Sequence, residues 1–337
     1  MTPKTLWRAV ALLLLSASFA TGCGAGGEDT LTVYSGRTDT LVGPLLDQFS
    51  KDTGIKIQVR YASTSGIVAL LLEEGKNSPA DIAFLQDSGA LGALAKAGML
   101  ESLPDDILAR VDPRFRSREG LWVGASGRVR TVVYNVYAVD PETDLPDSIL
   151  GFTDPRWKGR IGWAPTNGSF QAFVTALRIV EGDAAARDWL EGIEANAAVA
   201  YANNIAIVDA VARGEVDVGF VNHYYLFQFL QEHGPGFAAR NHYYPGDIGG
   251  LINVAGGGVL GTTDSRENAR RFIEYLLSEE AQAYFAEETN EYPLIDGVDP
   301  VGELPPISEL DPPDVDLSNL DDLRGTLDLM REVGILP

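Results

Sequence analysis

This 337-residue chain has almost no cysteine: Cys23 is its only one, and histidines number only three. A single cysteine excludes an internal disulfide framework and a cysteine-based zinc site, and three histidines leave little room for histidine-driven chemistry. Basic residues are also scarce, because 26 Lys and Arg stand against 48 Asp and Glu, for a formal net charge of −22. That balance argues against nucleic-acid binding, which draws its affinity from basic side chains that neutralise phosphates.

Motifs that carry enzymatic chemistry are missing too. The sequence has no Gly-x-Ser-x-Gly nucleophile elbow and no phosphate-binding loop. Acidic residues are plentiful, but a pair of catalytic carboxylates cannot be chosen from sequence in so acidic a chain. We therefore expect that the protein is not an enzyme. A secreted hydrolase ranks last among three interpretations of its function.

The length of the chain exceeds the usual range of a single domain, so we expect two domains. Strand and helix signals alternate along it: Leu31–Tyr34 predicts a buried strand that turns into an amphipathic helix, and the pattern recurs to Glu288. This alternation predicts an α/β fold with a sheet covered on both faces. After a proline-rich stretch, Leu317–Val333 predicts one last amphipathic helix.

Residues 1–22 have the pattern of a secretory signal peptide. Two basic residues precede the apolar run Ala9–Ala20, which is too short to span a membrane. Cys23 follows, and a glycine-rich tether leads to residue 30. The stretch Ala20-Thr21-Gly22-Cys23 resembles a bacterial lipobox, which implies a lipid on Cys23 as the only membrane attachment; plain secretion is the alternative. In both cases the protein acts outside the cytoplasmic membrane.

The most informative segment is the apolar run Val216–Val221 followed by Asn222, His223, Tyr224 and Tyr225. Adjacent side chains of a strand point to opposite faces, but at a helix start they lie about 100° apart, so two phenols can converge there. Asn222 is a good N-cap for such a helix, and His223 is expected to point into solvent. A strand end that leads into a helix N-terminus is the usual ligand position in open α/β sheets, and it favours an anion.

Two converging phenols suit ferric ion, which is hard, highly charged and favours anionic oxygen. A bound trivalent cation deprotonates phenols whose pKa is ordinarily about 10. The alternative for two adjacent tyrosines is packing and surface exposure. The second pair, Tyr243 and Tyr244, precedes a Pro-Gly turn and is interpreted as structural.

Five segments, in this order over roughly residues 30–335, resemble the ferric-ion-binding proteins of bacterial iron ABC importers: Val33–Arg37, Gln86–Leu91, Ser126–Arg128, Ala164–Phe170 and Val221–Tyr225. The resemblance implies a two-lobed type II periplasmic-binding-protein fold and a monomer that delivers iron to an ABC permease. Lobe 1 is expected at 31–127 and 256–300, and lobe 2 at 128–255 and 301–337. Two hinge segments are expected, near Gly124–Arg130 and Asn253–Gly258.

The resemblance also implies the binding residues. Tyr224 and Tyr225 match the paired tyrosine ligands, and Tyr134 matches the third tyrosine of the tyrosine-rich subgroup. Two positions depart from many relatives: Thr38-Asp39 stands where a histidine is common, and Gln86 stands where some relatives have a glutamate. Asp39 is an outside candidate ligand.

A synergistic anion, carbonate or phosphate, is expected beside the iron. Arg37 and Arg128 suit it, because a guanidinium holds such an anion through two parallel hydrogen bonds. Thr166, Asn167 and Asn203 are expected to add neutral donors, or else to serve as turn or cap residues. Arg130 is expected either to bind the anion or to form an ion pair at the surface or hinge. The runner-up function keeps the fold but binds an organic or oxyanion solute, such as a phosphonate, polyamine, thiamine or sugar, with the tyrosines as stacking platforms.

Overall fold

The computed structural model describes residues 30–302 and 304–336. The predicted signal peptide, the lipid attachment at Cys23 and the tether therefore lie outside the described residues, apart from Thr30, which begins the first strand. Among the described residues, no helix is both long and apolar enough to cross a membrane.

The predicted alternation of strands and helices is confirmed. The strands of the described chain are β1 Thr30–Ser35, β2 Lys56–Tyr61, β3 Ile82–Leu85, β4 Val123–Asn135, β5 Ile161–Trp163, β6 Val199–Ala200, β7 Val218–Asn222, β8 Ala239–His242, β9 Ile252–Val259 and β10 Tyr292–Pro293. The helices are α1 Asp39–Thr53, α2 Thr64–Glu74, α3 Ser88–Lys96, α4 Asp105–Leu108, α5 Gly168–Glu181, α6 Asp183–Ala195, α7 Asn204–Ala212, α8 Tyr224–His233, α9 Arg266–Leu276, α10 Glu279–Thr289, α11 Ile307–Leu310 and α12 Leu323–Glu332.

The strands follow the order β2-β1-β3-β9-β4-β7-β5-β6, and β8 and β10 also pair with β4. On one side, β1, β2 and β3 are parallel, and β9 runs antiparallel to β3. On the other side, β5, β6 and β7 are parallel. Each side is thus a small sheet whose parallel strands end at one edge. We call the half around β1, β2, β3, β9 and β10 lobe 1, and the half around β5, β6, β7 and β8 lobe 2.

Strand β4 runs through both lobes. Its residues 123–129 pair with β9, and from Arg130 onward it pairs with β7 and β8. The change of partner between Val129 and Arg130 lies inside the first expected hinge segment. The second crossing differs from expectation, because β9 pairs with β3 and with residues 123–129 of β4. The chain therefore returns to lobe 1 before β9, between residues 243 and 251.

The C-terminal tail was expected on lobe 2 as a single helix over Leu317–Val333, and the structure differs in both respects. A short 3₁₀ turn, Leu317–Asp321, packs against α3 of lobe 1, and α12 packs against α5 and α6 of lobe 2. The break falls at Asp322, whose side chain caps α12 by accepting a hydrogen bond from the Gly325 amide at 3.1 Å. The tail thus touches both lobes.

Candidate metal centre in the interlobe cleft

A cleft of about 710 Å³ lies between the two lobes. Lobe 1 contributes one side of α2 and the first half of α3, and lobe 2 contributes the first half of α5 and the start of α8. The 3₁₀ turn and the beginning of α12 close one side through Leu320, Asp321 and Leu323. Several helix N-termini therefore face the same space, which favours negative charge in a ligand.

Tyr224 and Tyr225 both line this cleft. Strand β7 ends at Asn222 and α8 begins at Tyr224, so the predicted strand-to-helix transition is confirmed. The two phenol rings lie side by side, with centroids 4.2 Å apart and planes 32° from parallel. The expected cap is wrong: His223 occupies the N-cap position, and the Asn222 side chain instead accepts a hydrogen bond from Arg130 at 3.4 Å.

The protonation of Tyr224 depends on burial. Burial and the neighbouring Tyr225 raise the pKa of the Tyr224 phenol, and only the positive charge of Arg128 opposes this increase to any extent. Without a cation the phenol therefore stays protonated at neutral pH. A bound trivalent ion supplies the positive charge that removes the proton.

Arg130 was expected either to bind the anion or to form an ion pair at the surface or hinge, and the structure places it in the cleft without an ionic partner among the described residues. Its side chain lines the cleft and is only 2% exposed. Its guanidinium donates to the Phe220 carbonyl at 2.9 Å, and it lies 5.5 Å from the ring centres of Phe170 and Phe173. Burial lowers the pKa of Arg130 to about 9.

No carboxylate of the described chain pairs with Arg130, and its Nε atom has no hydrogen-bond partner there. A buried cation without an anionic partner is costly, so the arrangement favours an anion in the cleft. The available sequence signal was the spacing of Arg128 and Arg130, which places both side chains on one face of β4.

Arg128 lies in the cleft, as expected of an anion ligand. It is 5% exposed and donates a hydrogen bond to the main-chain carbonyl of Gln86, at the end of β3 in lobe 1. Its Nε atom, like that of Arg130, has no partner among the described residues. Arg128 therefore connects β4 to lobe 1 and keeps one donor free.

Thr166 and Asn167 line the cleft at the start of α5, as predicted. The Asn167 side-chain oxygen caps the helix by accepting hydrogen bonds from the Ser169 amide at 3.0 Å and the Ser169 hydroxyl at 2.6 Å. Asn203 lies elsewhere: it is exposed, caps α7 and does not line the cleft. Its neighbour Asn204 is buried, with its amide nitrogen 3.5 Å from the Ser169 hydroxyl.

Arg37 does not reach the cleft, because a carboxylate already holds it. It is fully buried, and its guanidinium donates to both oxygens of Glu291 at 2.9 Å and to the Ser126 hydroxyl at 3.0 Å. Burial raises the pKa of Glu291, but the charges of Arg37 and Arg128 outweigh burial and lower it overall. Arg37 is therefore part of the packed interior and does not line the cleft.

Tyr134 is not brought to the tyrosine pair. It pairs with Val218 at the start of β7, whereas the pair follows the end of that strand. Along β4 it lies four residues beyond Arg130, a distance of about 13 Å for an extended strand. It is also absent from the cleft lining, so the structure gives no support for it as a third ligand.

Lobe 1 brings few ionisable groups to the cleft. Asp87 lines it, but its two oxygens already accept hydrogen bonds from the Gly89 amide at 2.9 Å and the Asn253 side chain at 2.7 Å. Gln86 lines it as a neutral amide, and Asp39 does not line it. Residues 30–302 and 304–336 contain no group of three or more His, Cys, Asp or Glu side chains that could hold a metal ion. A metal in this cleft would depend on phenol oxygens.

Two α/β lobes that a continuous strand joins around a cleft are the architecture of a receptor that closes on a small solute. The model of the bacterial extracellular solute-binding protein family matches residues 31–288. The Fe(3+)-binding periplasmic protein of Serratia marcescens is 33% identical over 333 residues, which cover 97% of each chain.

Solved structures of ferric-iron-binding proteins also resemble this chain. Iron-bound HitA from Pseudomonas aeruginosa is 36% identical, with a TM-score of 0.82 over 90% of this chain and 99% of that one. A Trichodesmium protein (IdiA, FutA), solved with iron and citrate, is 30% identical, with a TM-score of 0.81 and the same coverage. The chain belongs to the bacterial extracellular solute-binding proteins, in the group of periplasmic ferric-iron-binding proteins. The predicted family and type II fold are confirmed.

Proposed function

We propose that the protein captures ferric ion in the cleft through the phenolate oxygens of Tyr224 and Tyr225, with a small oxyanion beside the metal, and delivers it to an ABC permease. The observation that carries this proposal is a pair of cleft-lining phenols next to Arg130, a buried cation that no carboxylate of the described chain neutralises. The ferric-iron-binding relatives support it.

The chemistry of the pair fits ferric ion better than a softer metal. Ferric ion is hard, and the described residues that line the cleft offer tyrosine oxygens and include no thiol or imidazole. Because burial raises the pKa of Tyr224, this phenol keeps its proton in the absence of a metal and avoids burying negative charge. Metal capture then exchanges two protons for one trivalent ion.

Charge balance accounts for the anion. Two phenolates leave the ferric ion with one net positive charge, and Arg130 adds another. Arg128 adds a third positive charge. A carbonate dianion or a phosphate bound by Arg130, Arg128 and the start of α5 offsets most of this charge, which lowers the cost of burying the group. Since the Trichodesmium relative was solved with iron and citrate, citrate is a second anion to compare. On this proposal the protein is a receptor with no catalytic step.

A visible spectrum tests the proposal. Apoprotein mixed with ferric nitrilotriacetate is expected to turn orange-red through a phenolate-to-iron charge-transfer band. The Tyr224→Phe and Tyr225→Phe variants should each weaken and shift this band, and the double variant should lose it. Tyr137→Phe is the matched control, because Tyr137 is 83% exposed and lies outside the cleft. A colourless wild type, or a full band in the double variant, contradicts the proposal.

We also propose that the receptor acts as a monomer held at the outer face of the cytoplasmic membrane through a lipid on Cys23, as the lipobox-like stretch suggests. Detergent-free fractionation of cells that express the full chain tests the anchor. The wild type should sediment with membranes, and Cys23→Ala should appear in the soluble extracytoplasmic fraction. Equal distribution of the two proteins would remove the anchor and leave the iron site untouched.

A further inference from the structure

His223 lies immediately before the tyrosine pair and is completely buried, contrary to the expectation that it points into solvent. Its ring packs against the Tyr292 ring, with centroids 4.9 Å apart and planes tilted by 49°, and meets the Tyr224 ring edge to face at 5.7 Å. Tyr292 belongs to β10 of lobe 1, whereas Tyr224 belongs to α8 of lobe 2. The imidazole therefore lies between the proposed metal ligands and the other lobe.

One edge of the imidazole is bonded to the strand that joins the lobes. The Val129 amide donates to Nδ1 of His223 at 3.1 Å, and the His223 amide donates to the Val129 carbonyl at 3.0 Å. Val129 is the last residue of β4 that pairs with β9, directly before the strand changes partner to β7. The side chain and main chain of His223 together hold the start of α8 to this point.

The opposite edge of the imidazole reaches lobe 1. Since Nδ1 accepts a hydrogen bond, the ring proton is on Nε2, which donates to the Asn290 carbonyl at 2.8 Å. Asn290 ends α10 in a left-handed conformation with φ of 54°. Both ring nitrogens of His223 are therefore hydrogen-bonded, one to Val129 of the strand that joins the lobes and the other to Asn290 of lobe 1.

We propose that His223 is a positioning residue that fixes the tyrosine pair on β4 and links it to lobe 1, so that metal binding at the phenols is coupled to the relative position of the lobes. The proposal rests on the proposed ferric-ion function. His223 itself binds no metal, since both of its ring nitrogens are engaged.

Two substitutions of His223 test its two ring hydrogen bonds separately. Asparagine places an oxygen near the position of Nδ1 and keeps the acceptor for the Val129 amide, but it lacks the donor to the Asn290 carbonyl. Glutamine reaches the position of Nε2 and keeps that donor, but it lacks the acceptor for Val129. The matched control is His233→Asn, at the exposed far end of the same helix α8.

Three measurements on the full-length mature protein separate the roles: the charge-transfer band with ferric nitrilotriacetate, the ferric dissociation constant by citrate competition, and the radius of gyration with and without iron. His223→Asn should keep the position of the band, bind iron roughly 3- to 10-fold more weakly, as loss of one hydrogen bond implies, and show a smaller iron-dependent change in radius. His223→Gln should shift the band itself. His233→Asn should match the wild type in all three.

Wild-type affinity, band and change in radius in both His223 variants would overturn the proposal. A wild type without a band would instead remove the ferric-ion function on which it rests.

If the His223 variants do not fold, the coupling can be tested on the wild-type protein. Gallium(III) citrate is diamagnetic, so the Nε2 proton of His223 can be followed by NMR: its resonance should shift when gallium binds, and an unchanged resonance in gallium-loaded protein contradicts the coupling.

Discussion

Two buried arginines, Arg37 and Arg130, have the same chemistry and different neighbours. Arg37 donates to both oxygens of Glu291, which lies 254 positions away in the sequence. Removing one partner of such a pair is expected to cost about 3–5 kcal/mol, because it leaves an uncompensated buried charge. Arg130 has no such partner among the described residues, and an anion bound in the cleft would provide one. Burial alone therefore does not distinguish a structural arginine from a binding one.

At the same scale, His223 predicts a pH dependence of stability. Burial, as the largest cause, lowers its pKa from 6.5 to about 4. Above pH 6.5 the ring is neutral in both the folded and the unfolded chain, so it makes no pH-dependent contribution. As the pH falls from 6.5 towards 4, the unfolded chain binds a proton that the folded chain excludes. The free energy of unfolding should therefore decrease, by about 3 kcal/mol once the pH is below 4.

Urea denaturation of the apoprotein from about pH 7 to about pH 4.5 measures this decrease. Carboxylates also change the free energy of unfolding at the acidic end of this range. The informative quantity is therefore the difference in the free energy of unfolding between the wild type and His223→Asn. That difference should change steadily below about pH 6.5, and His233→Asn should follow the wild type. Parallel curves for the wild type and His223→Asn would show that the ring does not titrate on unfolding.

At the scale of elements, the tail turn Leu317–Asp321 is seated on α3 by glycines. A β-carbon on Gly92 would lie 2.1 Å from the Ser318 carbonyl oxygen, and one on Gly89 would lie 2.3 Å from that of Leu320. Main-chain atoms cannot approach a side chain that closely, so only glycine permits this contact. The two positions are one helical turn apart, which places them on the same face of α3.

Gly92→Ala should consequently detach or displace the turn. Alanine favours a helix over glycine by about 1 kcal/mol, but overpacking costs about 1–3 kcal/mol, so we expect a net destabilisation of about 1 kcal/mol. Urea unfolding monitored by tryptophan fluorescence is informative, because the Trp122 indole donates to the Ser318 hydroxyl at 3.2 Å. Gly236→Ala is the control, since a β-carbon there meets no atom within 4 Å. Equal stability of Gly92→Ala and wild type would rule out the close contact.

At the scale of the whole molecule, the overall charge differs from the charge of the cleft. The chain carries a formal net charge of −22, which favours solubility and repels anionic surfaces. In the cleft lining, Arg128 and Arg130 balance Asp87 and Asp321, and the N-termini of several helices add partial positive charge. Because salt screens exposed charges beyond about 10 Å, the distant acidic residues have little effect inside the cleft. A net charge is therefore a poor guide to the ligand of such a receptor.

The chain connects the two lobes at more than one point. Strand β4 is continuous through both lobes, residues 243–251 return to lobe 1, and the tail lies against α3 on one side and against α5 on the other. These connections converge near the cleft, whose wall includes Leu320 and Leu323 of the tail. Relative motion of the lobes would have to be accommodated at each of these connections, and the one where β4 changes partner lies next to His223.

The sequence alone determined the features that depend on neighbouring residues. Alternating strand and helix patterns predicted the α/β fold, and the apolar strand before Asn222 predicted that Tyr224 and Tyr225 would converge at a helix start. These features follow from the periods of strands and helices, which short segments express by themselves. The resemblance of five segments then specified the family.

Only the tertiary structure decided which polar residues meet. It held Arg37 with Glu291, left Arg130 beside the phenols, kept Tyr134 and Asn203 away from the cleft, and buried His223 between the lobes. Each of these outcomes depends on a partner far away in the chain, and local patterns carry no information about such partners. Charge compensation and burial arise when distant segments pack together, and that packing separates a ligand-binding residue from a structural one of the same type.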